Sequence, residues 1–166
     1  MGFLQSGSID IFAIFGGHIS GFYEDIQFLG LPYLFNNHSH YNAAKDSSLV
    51  QNILNGIEEK TNLEVLGILS DYNGFAIASL KPINSLEDCK GVKIRVMQNP
   101  LYVAIYNNLG SQSTATDRGE LYTSLQTGLV EANDLAVKSN YDSNCKEVVK
   151  AFAITPHFVW TQFIVI

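Results

Sequence analysis

A single arginine within an apolar strand is the residue of this sequence that most clearly suggests chemistry. Arg95 lies near the start of the stretch from Gly91 to Asp134, which reads as strand, helix, short strand and helix. A guanidinium group carries five N–H donors in a planar fork and can bind a carboxylate through two hydrogen bonds. The position therefore predicts a receptor for a carboxylate. The alternative from spacing alone is an arginine that faces solvent or pairs with a neighbouring strand.

Other polar and aromatic side chains are candidates to share a site with Arg95. Asn133 is expected at a strand end, and in parallel sheets ligands bind beyond the carboxyl ends of the strands. Aromatic rings offer an apolar face to a ligand, and tyrosine adds a hydroxyl group. The aromatic candidates for the walls of a cleft are Tyr72, Phe75, Tyr102 and Tyr122. Packing in the core is the simpler expectation for most of these rings.

The sequence contains no pattern that nominates a catalytic or metal-binding centre. It has no serine elbow, phosphate-binding loop, metal-binding helix or dinucleotide fingerprint. Cys89 and Cys145 have the spacing of no known metal or redox motif, and Cys89 is expected to be a buried thiol. His38 and His40 could approach one another, but no third ligand converges on them. We therefore expect no metal, no cofactor and no catalysed reaction.

Composition limits the partners of the chain. The sequence has 166 residues, of which 46% are apolar, and its 10 Lys+Arg against 16 Asp+Glu give a net charge of -6. An acidic chain without a basic run is not expected to bind nucleic acid or an anionic membrane. Its apolar runs are too short for the roughly 20 residues of a membrane-spanning helix.

Alternating strands and helices are the elements that must position Arg95. Strands are predicted at residues 9–15, 63–69, 75–80, 92–96, 132–137, 150–155 and 158–166. Helices are predicted at residues 38–60, 85–88 and 100–109 and from residue 117 onward. This alternation indicates an α/β fold with a mainly parallel sheet.

Several helix ends are marked by capping residues. Asn99 followed by Pro100 is typical of a helix start, and Gly110 is typical of a helix stop. Ser85 can cap the short helix through its hydroxyl group. Residues 117–120 have the spacing of a capping box and predict the start of another helix.

Both ends of the sequence look as if they cut through structure. Residues 1–8 resemble the end of a helix with its glycine stop, and residues 158–166 form a β-prone run without a closing turn. The first residues lack the basic segment, apolar core and cleavage site of a secretory signal. We therefore expect the sequence to be a fragment of a longer chain.

Four phrases of the sequence resemble the solute-binding proteins of tripartite ATP-independent periplasmic (TRAP) transporters, the DctP-like family. The phrases are Ser8-Ile9-Asp10, Leu31-Pro32-Tyr33-Leu34-Phe35, Lys90-Gly91-Val92-Lys93-Ile94-Arg95-Val96 and the run from Gly119 to Glu131. The resemblance spans essentially the whole chain. It implies a fold like the type II periplasmic binding proteins, with two α/β lobes that close on an organic acid. It also implies secretion to the periplasm and delivery of the ligand to a membrane permease.

The resemblance further implies that the chain is a central section of the family's fold and is incomplete. By that map, residues 1–79 form part of the first lobe and residues 80–155 part of the second. Residues 156–166 form a strand that returns toward the first lobe.

The resemblance assigns the central contact with the ligand carboxylate to Arg95. Two positions depart from the family pattern: Ala76 stands where many relatives have a second arginine, and Leu135 stands where they have asparagine or an aromatic residue. Losing a cationic donor favours a ligand with one carboxylate. Arg118, in the altered turn at residues 114–118, could supply a second positive group, and the alternative is an exposed residue in the first turn of a helix.

Three hypotheses follow from the sequence. The first is a protein that captures an organic acid through Arg95, with Asn133, Arg118, Phe75 and Tyr122 as further ligand-binding residues. The second is a small α/β enzyme that positions a carboxylate substrate on Arg95, although no base is nominated for it. The third is a truncated fragment that associates with a second copy of itself through exposed apolar faces and strand edges, without a role in transport.

Overall fold

The computed structural model shows short apolar strands and amphipathic helices that follow one another as the period of the hydrophobic pattern changes along the chain. The structure describes residues 2–71, 75–155 and 157–166. The chain divides into two compact units. The first unit comprises Met1–Asn73 and His157–Ile166, and the second unit comprises Gly74–Pro156. The strand Phe75–Ser79 lies in the second unit.

The first unit contains four helices and three strands among its described residues. The helices are α1 (Gly2–Gln5), α2 (Gly16–Ile19), α3 (His38–Lys45) and α4 (Ser48–Thr61), and a 3-10 helix covers Glu24–Gly30. The strands are β1 (Phe12–Phe15), β2 (Val65–Asp71) and β8 (Trp160–Val165).

The strand β8 lies in the middle of the sheet of the first unit and runs antiparallel to both β1 and β2. Its residue Phe163 is fully buried and pairs with Ile14 on one side and Ile68 on the other. The helix α4 contributes Val50 and Ile57 to the same apolar core. The predicted terminal strand is therefore confirmed, and it completes the sheet.

The helix predicted at residues 38–60 is divided into α3 and α4. Ser47 begins the second helix, because its hydroxyl oxygen accepts a hydrogen bond from the backbone N–H of Val50 at 3.4 Å. Asn37 caps the first helix in the same way by accepting from the N–H of His40 at 2.9 Å. A serine that can cap competes with continuation of a helix, and this local preference explains the division.

The second unit contains three helices and five strands among its described residues. The strands are β3 (Phe75–Ser79), β4 (Lys93–Val96), β5 (Gln112–Ala115), β6 (Ala132–Ala136) and β7 (Ala151–Ile154). The helices are α5 (Pro100–Asn108), α6 (Leu121–Gln126) and α7 (Val137–Asp142). Short 3-10 helices cover Glu87–Cys89, Arg118–Glu120 and Cys145–Glu147.

The predicted α/β class is confirmed, but the expectation of mainly parallel sheets is wrong. The five-stranded sheet has the order β5-β4-β6-β3-β7. Within it β4 is parallel to β5 and β6, whereas β3 is antiparallel to both β6 and β7. The sheet is therefore mixed, and the sheet of the first unit is antiparallel. Hydrophobic patterns predict where strands form, but the direction of a strand depends on the neighbour with which it pairs.

Helix ends in the second unit follow three of the four predicted signals. The hydroxyl oxygen of Ser85 accepts a hydrogen bond from the N–H of Asp88 at 3.4 Å. The side chain of Asn99 accepts a hydrogen bond from the N–H of Leu101 at 2.8 Å, and Gly110 takes a left-handed conformation with φ 87°. The capping box predicted at residues 117–120 is wrong, because the side chain of Asp117 makes no capping hydrogen bond and α6 follows a 3-10 turn. None of the helices in the described ranges combines the length and the apolar character that a membrane crossing requires.

Candidate functional site

Arg95 is buried near the end of β4, an interior strand of the five-stranded sheet, with only 4% of its surface exposed. Alternation along the strand places its side chain on the opposite face from Ile94 and Val96. The guanidinium donates from Nε and Nη2 to the backbone carbonyl oxygen of Thr116, at 3.0 and 2.6 Å. These two bonds fix the plane of the fork, and Nη1 donates to no residue in the part of the chain that the structure describes.

The positive charge of Arg95 has no carboxylate partner within 4.0 Å in the described ranges. Burial is the main cause that lowers the pKa of Arg95, and the like charge of Arg118 lowers it further. The carboxylates of Asp117 and Asp134 partly oppose this shift. A buried guanidinium without a paired anion is an unfavourable arrangement, since burial disfavours an unpaired charge.

Asn133 is the register partner of Arg95 on the neighbouring strand β6. Paired residues point to the same face of a sheet, and adjacent strands lie about 4.8 Å apart. Asn133 is fully buried, and neither Nδ2 nor Oδ1 has a hydrogen-bond partner among the described residues. The hydroxyl oxygen of Thr116 is also buried without a partner in these ranges. Two strands thus bring a buried cation and a buried amide together.

The two departures from the family pattern, Ala76 and Leu135, pair with each other across β3 and β6. Both are buried. Asn133 pairs with Ala78, and Leu135 and Ala76 each stand two residues along the strand from one member of that pair. Residues two apart in a strand point to the same face, so Leu135 and Ala76 share the face of Asn133. Leu135 packs in an apolar cluster that includes Leu121 of α6. This part of the face is therefore apolar.

Arg118 and Tyr122 line a surface pocket of about 420 Å³ together with Gly119 and Ser143. The side chain of Arg118 is exposed, and its Nη2 donates to the hydroxyl oxygen of Ser143 at 3.3 Å. The hydroxyl group of Tyr122 donates to the Glu147 carboxylate at 3.2 Å, and this bond raises the pKa of the tyrosine. The pocket therefore presents one cation, two hydroxyl groups and one aromatic ring.

Phe75 does not join Arg95 and Asn133. It is buried and pairs with Ala136, so the register places it on the opposite face of the sheet from Asn133. Tyr102 of the helix α5 is also buried, and its pKa is raised by burial and by the charge of Asp134. Tyr72 lies outside the described residues.

The sequence did not identify Thr116 as a site residue. Its backbone oxygen holds Arg95, and any residue type supplies a carbonyl group, so no sequence signal marks this role. The prediction of a buried thiol at Cys89 is confirmed, and Cys145 is likewise buried and free. Within the described ranges, no group of three metal-binding side chains comes together.

The arrangement at Arg95 can bind an anion. A guanidinium with an unused N–H faces a low-dielectric interior, where its attraction to a carboxylate is stronger than in water. Asn133, at the paired position on β6, adds an NH2 group with two N–H donors and one carbonyl acceptor.

The whole chain, residues 1–166, matches the sequence model of DctP, bacterial extracellular solute-binding protein family 7. The sialic acid-binding periplasmic protein SiaP of Vibrio cholerae is 29% identical over 167 residues, which cover 98% of this chain and 50% of that protein.

Solved structures show the same similarity. A TRAP periplasmic solute-binding protein of Pseudomonas putida F1 with bound D-glucuronate has a TM-score of 0.90 and 29% identity, over 99% of this chain and 54% of that one. A protein of the same description from a Bradyrhizobium species, in complex with D-galacturonate, has a TM-score of 0.88 and 31% identity over the same shares. The chain spans about half the length of the curated relatives that it matches.

Proposed function

The chain belongs to the DctP family of bacterial extracellular solute-binding proteins, and from this premise we propose that it binds a small organic acid through Arg95. The ligand carboxylate accepts hydrogen bonds from the guanidinium, which supplies both charge and orientation. In this proposal the ligand is bound and released unchanged. The description of its relatives as solute-binding proteins supports this reading over the enzyme hypothesis.

The observation that carries the proposal is the buried, unpaired charge of Arg95. A protein that buried this guanidinium only for stability would place a carboxylate beside it, because a paired buried charge is far less unfavourable than an isolated one. Among the described residues, Arg95 instead contacts one backbone carbonyl group and keeps Nη1 unused. A ligand carboxylate would supply the missing anion.

Sugar acids are the first candidates for the ligand. Proteins similar to this chain are described with bound D-glucuronate or D-galacturonate, and one relative is named for sialic acid. Each of these ligands carries one carboxylate, which agrees with a single buried arginine. The apolar pair of Ala76 and Leu135 favours a hydroxylated acid that can place C–H groups, and not hydroxyl groups, against these two side chains.

Asn133, Arg118 and Tyr122 are proposed as further parts of this site. Asn133 is supported by its unpaired amide group beside Arg95. Arg118 stands two residues after Thr116, which binds Arg95, so about 7 Å of chain at most separates the two backbone positions. The influence of Arg118 on the pKa of Arg95 also supports this proximity. Phe75 has no such support, since it lies on the opposite face.

The proposed setting is the periplasm, with a TRAP permease as the membrane partner. The periplasmic naming of its relatives supports this setting. The similarity gives no support for self-association of the chain, which stays a prediction from the sequence.

A panel of acids tests the proposed function. The melting temperature of the chain is measured with D-glucuronate, D-galacturonate, D-gluconate, succinate and chloride at equal ionic strength. A ligand that binds the folded chain stabilises it as its concentration exceeds the dissociation constant. We expect saturable stabilisation by at least one sugar acid and none by chloride. Equal effects of all salts would contradict the proposal.

A further inference from the structure

The amide group of Asn133 has both its donor and its acceptor unused in the described part of the chain, although the side chain is fully buried. A buried amide without partners is unfavourable, and native interiors rarely contain one. Its place beside Arg95, on the same face and at paired register, links this deficit to the proposed binding of a carboxylate. The unused Nδ2 and Oδ1 therefore indicate which ligand group would bind them: one that offers both a hydrogen-bond acceptor and a donor.

An amide binds best to a group that presents an acceptor and a donor side by side. The N–H of the amide donates to the acceptor while its carbonyl oxygen accepts from the donor, as asparagine does with the edge of adenine. A carboxylate oxygen that Arg95 also holds is an acceptor. A hydroxyl group on the adjacent carbon is a donor at the required spacing. Together they form one chelating edge.

We propose that Asn133 reads a hydroxyl group on the carbon next to the ligand carboxylate, so that the site prefers 2-hydroxy acids. This inference rests on the proposed function of Arg95 and adds a residue that determines specificity. The other substituents at this carbon fit less well. A plain methylene or a keto group leaves Oδ1 of Asn133 without a donor. An ammonium group brings a second cation toward the guanidinium of Arg95.

The preference of Asn133 for a hydroxyl donor should distinguish open-chain from cyclic sugar acids. In a pyranose uronate the carbon next to the carboxylate carries the ring oxygen, which accepts hydrogen bonds and cannot donate them. In an open-chain aldonate that carbon carries a hydroxyl group. Asn133 should therefore favour D-gluconate over D-glucuronate.

Three acids on one carbon skeleton test the inference: D-gluconate, 2-deoxy-D-gluconate and D-glucosaminate, which carries the amino group. Their dissociation constants are measured by calorimetry with the full chain. D-Gluconate should bind about tenfold to a hundredfold more tightly than the 2-deoxy acid, since the loss of one partner leaves a buried acceptor unpaired. The amino acid should bind least, because its ammonium group brings a second cation toward Arg95.

The variant Asn133→Leu keeps the branched shape of the side chain and removes its donor and acceptor. It should bind D-gluconate and the 2-deoxy acid within about twofold of each other, because the unpaired acceptor that separates them is gone. The side-chain amide resonance of Asn133 in the wild type should shift when D-gluconate is added, a readout that does not depend on folding of the variant.

The outcomes separate the inference from the proposed function. If no acid binds, both fail. If the acids bind but the wild type does not distinguish D-gluconate from its 2-deoxy analogue, the inference fails and the proposed function stands. Discrimination that persists in Asn133→Leu, or an amide resonance that stays in place at saturation, also overturns the inference.

Discussion

Both units leave large apolar side chains exposed on their sheets, but the second unit also buries polar groups that lack partners among the described residues. Phe12, Leu66 and Leu69 of the first unit are 43%, 51% and 50% exposed. In the second unit Asn133 and Thr116 keep buried polar atoms unpaired. An exposed apolar patch is typical of a surface that another protein surface covers, and an unpaired buried polar group is typical of a ligand site. Among the described residues, the buried polar groups without partners are the feature that distinguishes the second unit.

The interior of the first unit shows what a completed polar contact looks like in this chain. Tyr41 and Thr161 are buried, and their hydroxyl groups form a hydrogen bond of 2.8 Å. Burial raises the pKa of Tyr41, and the bond to Thr161 partly opposes this shift. The first unit therefore satisfies a buried polar pair by itself. In the second unit, the buried amide of Asn133 has no such partner among the described residues, and in our proposal a bound acid supplies it.

Two substitutions, one in each unit, are expected to change the free energy of unfolding in opposite directions. Tyr41→Phe removes one partner of a satisfied pair, so the free energy of unfolding should fall by about 1 to 3 kcal/mol. Asn133→Leu removes an amide that has no partner, so the free energy of unfolding without ligand should rise by about 1 to 3 kcal/mol. Urea denaturation of the two variants and the wild type measures both values.

The sign for Asn133→Leu is the critical result. A loss of stability comparable to that of Tyr41→Phe would mean that the amide is already satisfied in the free chain. The contrast between the two units would then be wrong.

Alkaline pH should affect the second unit through its buried tyrosines. Burial and then the charge of Asp134 raise the pKa values of Tyr102 and Tyr106, so both are neutral in the folded chain. A raised pKa in the folded state gives a stability contribution that is complete below the unfolded value and is lost as the pH rises toward the folded value. The free energy of unfolding should thus fall above about pH 10, by about 1.4 kcal/mol per pH unit for each tyrosine.

The variant Tyr102→Phe tests this dependence. Its free energy of unfolding should fall less steeply between pH 10 and 11 than that of the wild type, by about 1.4 kcal/mol per pH unit. Tyr33→Phe, which changes a ring that is 72% exposed in the first unit, is the control and should follow the wild-type curve. Identical curves for all three proteins would contradict the prediction.

The outer cation Arg118 should have the smallest effect. Its side chain is exposed, and exposed charges contribute about 0.2 to 1 kcal/mol, so Arg118→Gln should weaken acid binding about twofold to fivefold at low salt. Lys150→Gln is the matched control, because Lys150 is an exposed cation immediately before β7, the strand at the opposite edge of the sheet from β5. Calorimetry at two salt concentrations compares them. Equal effects of the two variants would remove Arg118 from the site.

The sequence predicted those parts of the fold that depend on local chemistry. Asn99, Pro100 and Gly110 mark the ends of α5 because capping and left-handed backbone are properties of a few adjacent residues. Strand directions depend on distant partners, so the antiparallel pairing of β3 with β6 had no local signal. The division at Ser47 did have a local signal, which the apolar stripe of the longer helix outweighed.

The candidate site was likewise predictable only where it depends on residue type and local sequence. Arg95 and Asn133 stand out because a buried strand rarely carries such side chains. The prediction for Phe75 depended on register, and a shift of one residue moves a side chain to the other face of a sheet. The role of Thr116 depends on a backbone oxygen, which only the folded chain brings to Arg95.

The proposed contact between Arg95 and a ligand carboxylate can be measured directly by changing the protein and the ligand in one cycle. Dissociation constants are determined for D-glucuronate and D-glucuronamide, whose amide replaces the carboxylate, with the wild type and with Arg95→Gln. The wild type should prefer the acid by about tenfold or more, since a hydrogen bond to a charged group contributes about 1.5 to 3 kcal/mol. Arg95→Gln should bind both compounds within about twofold of each other, because its side chain has no charge to distinguish them. A variant that still prefers the acid by the wild-type factor would contradict the account.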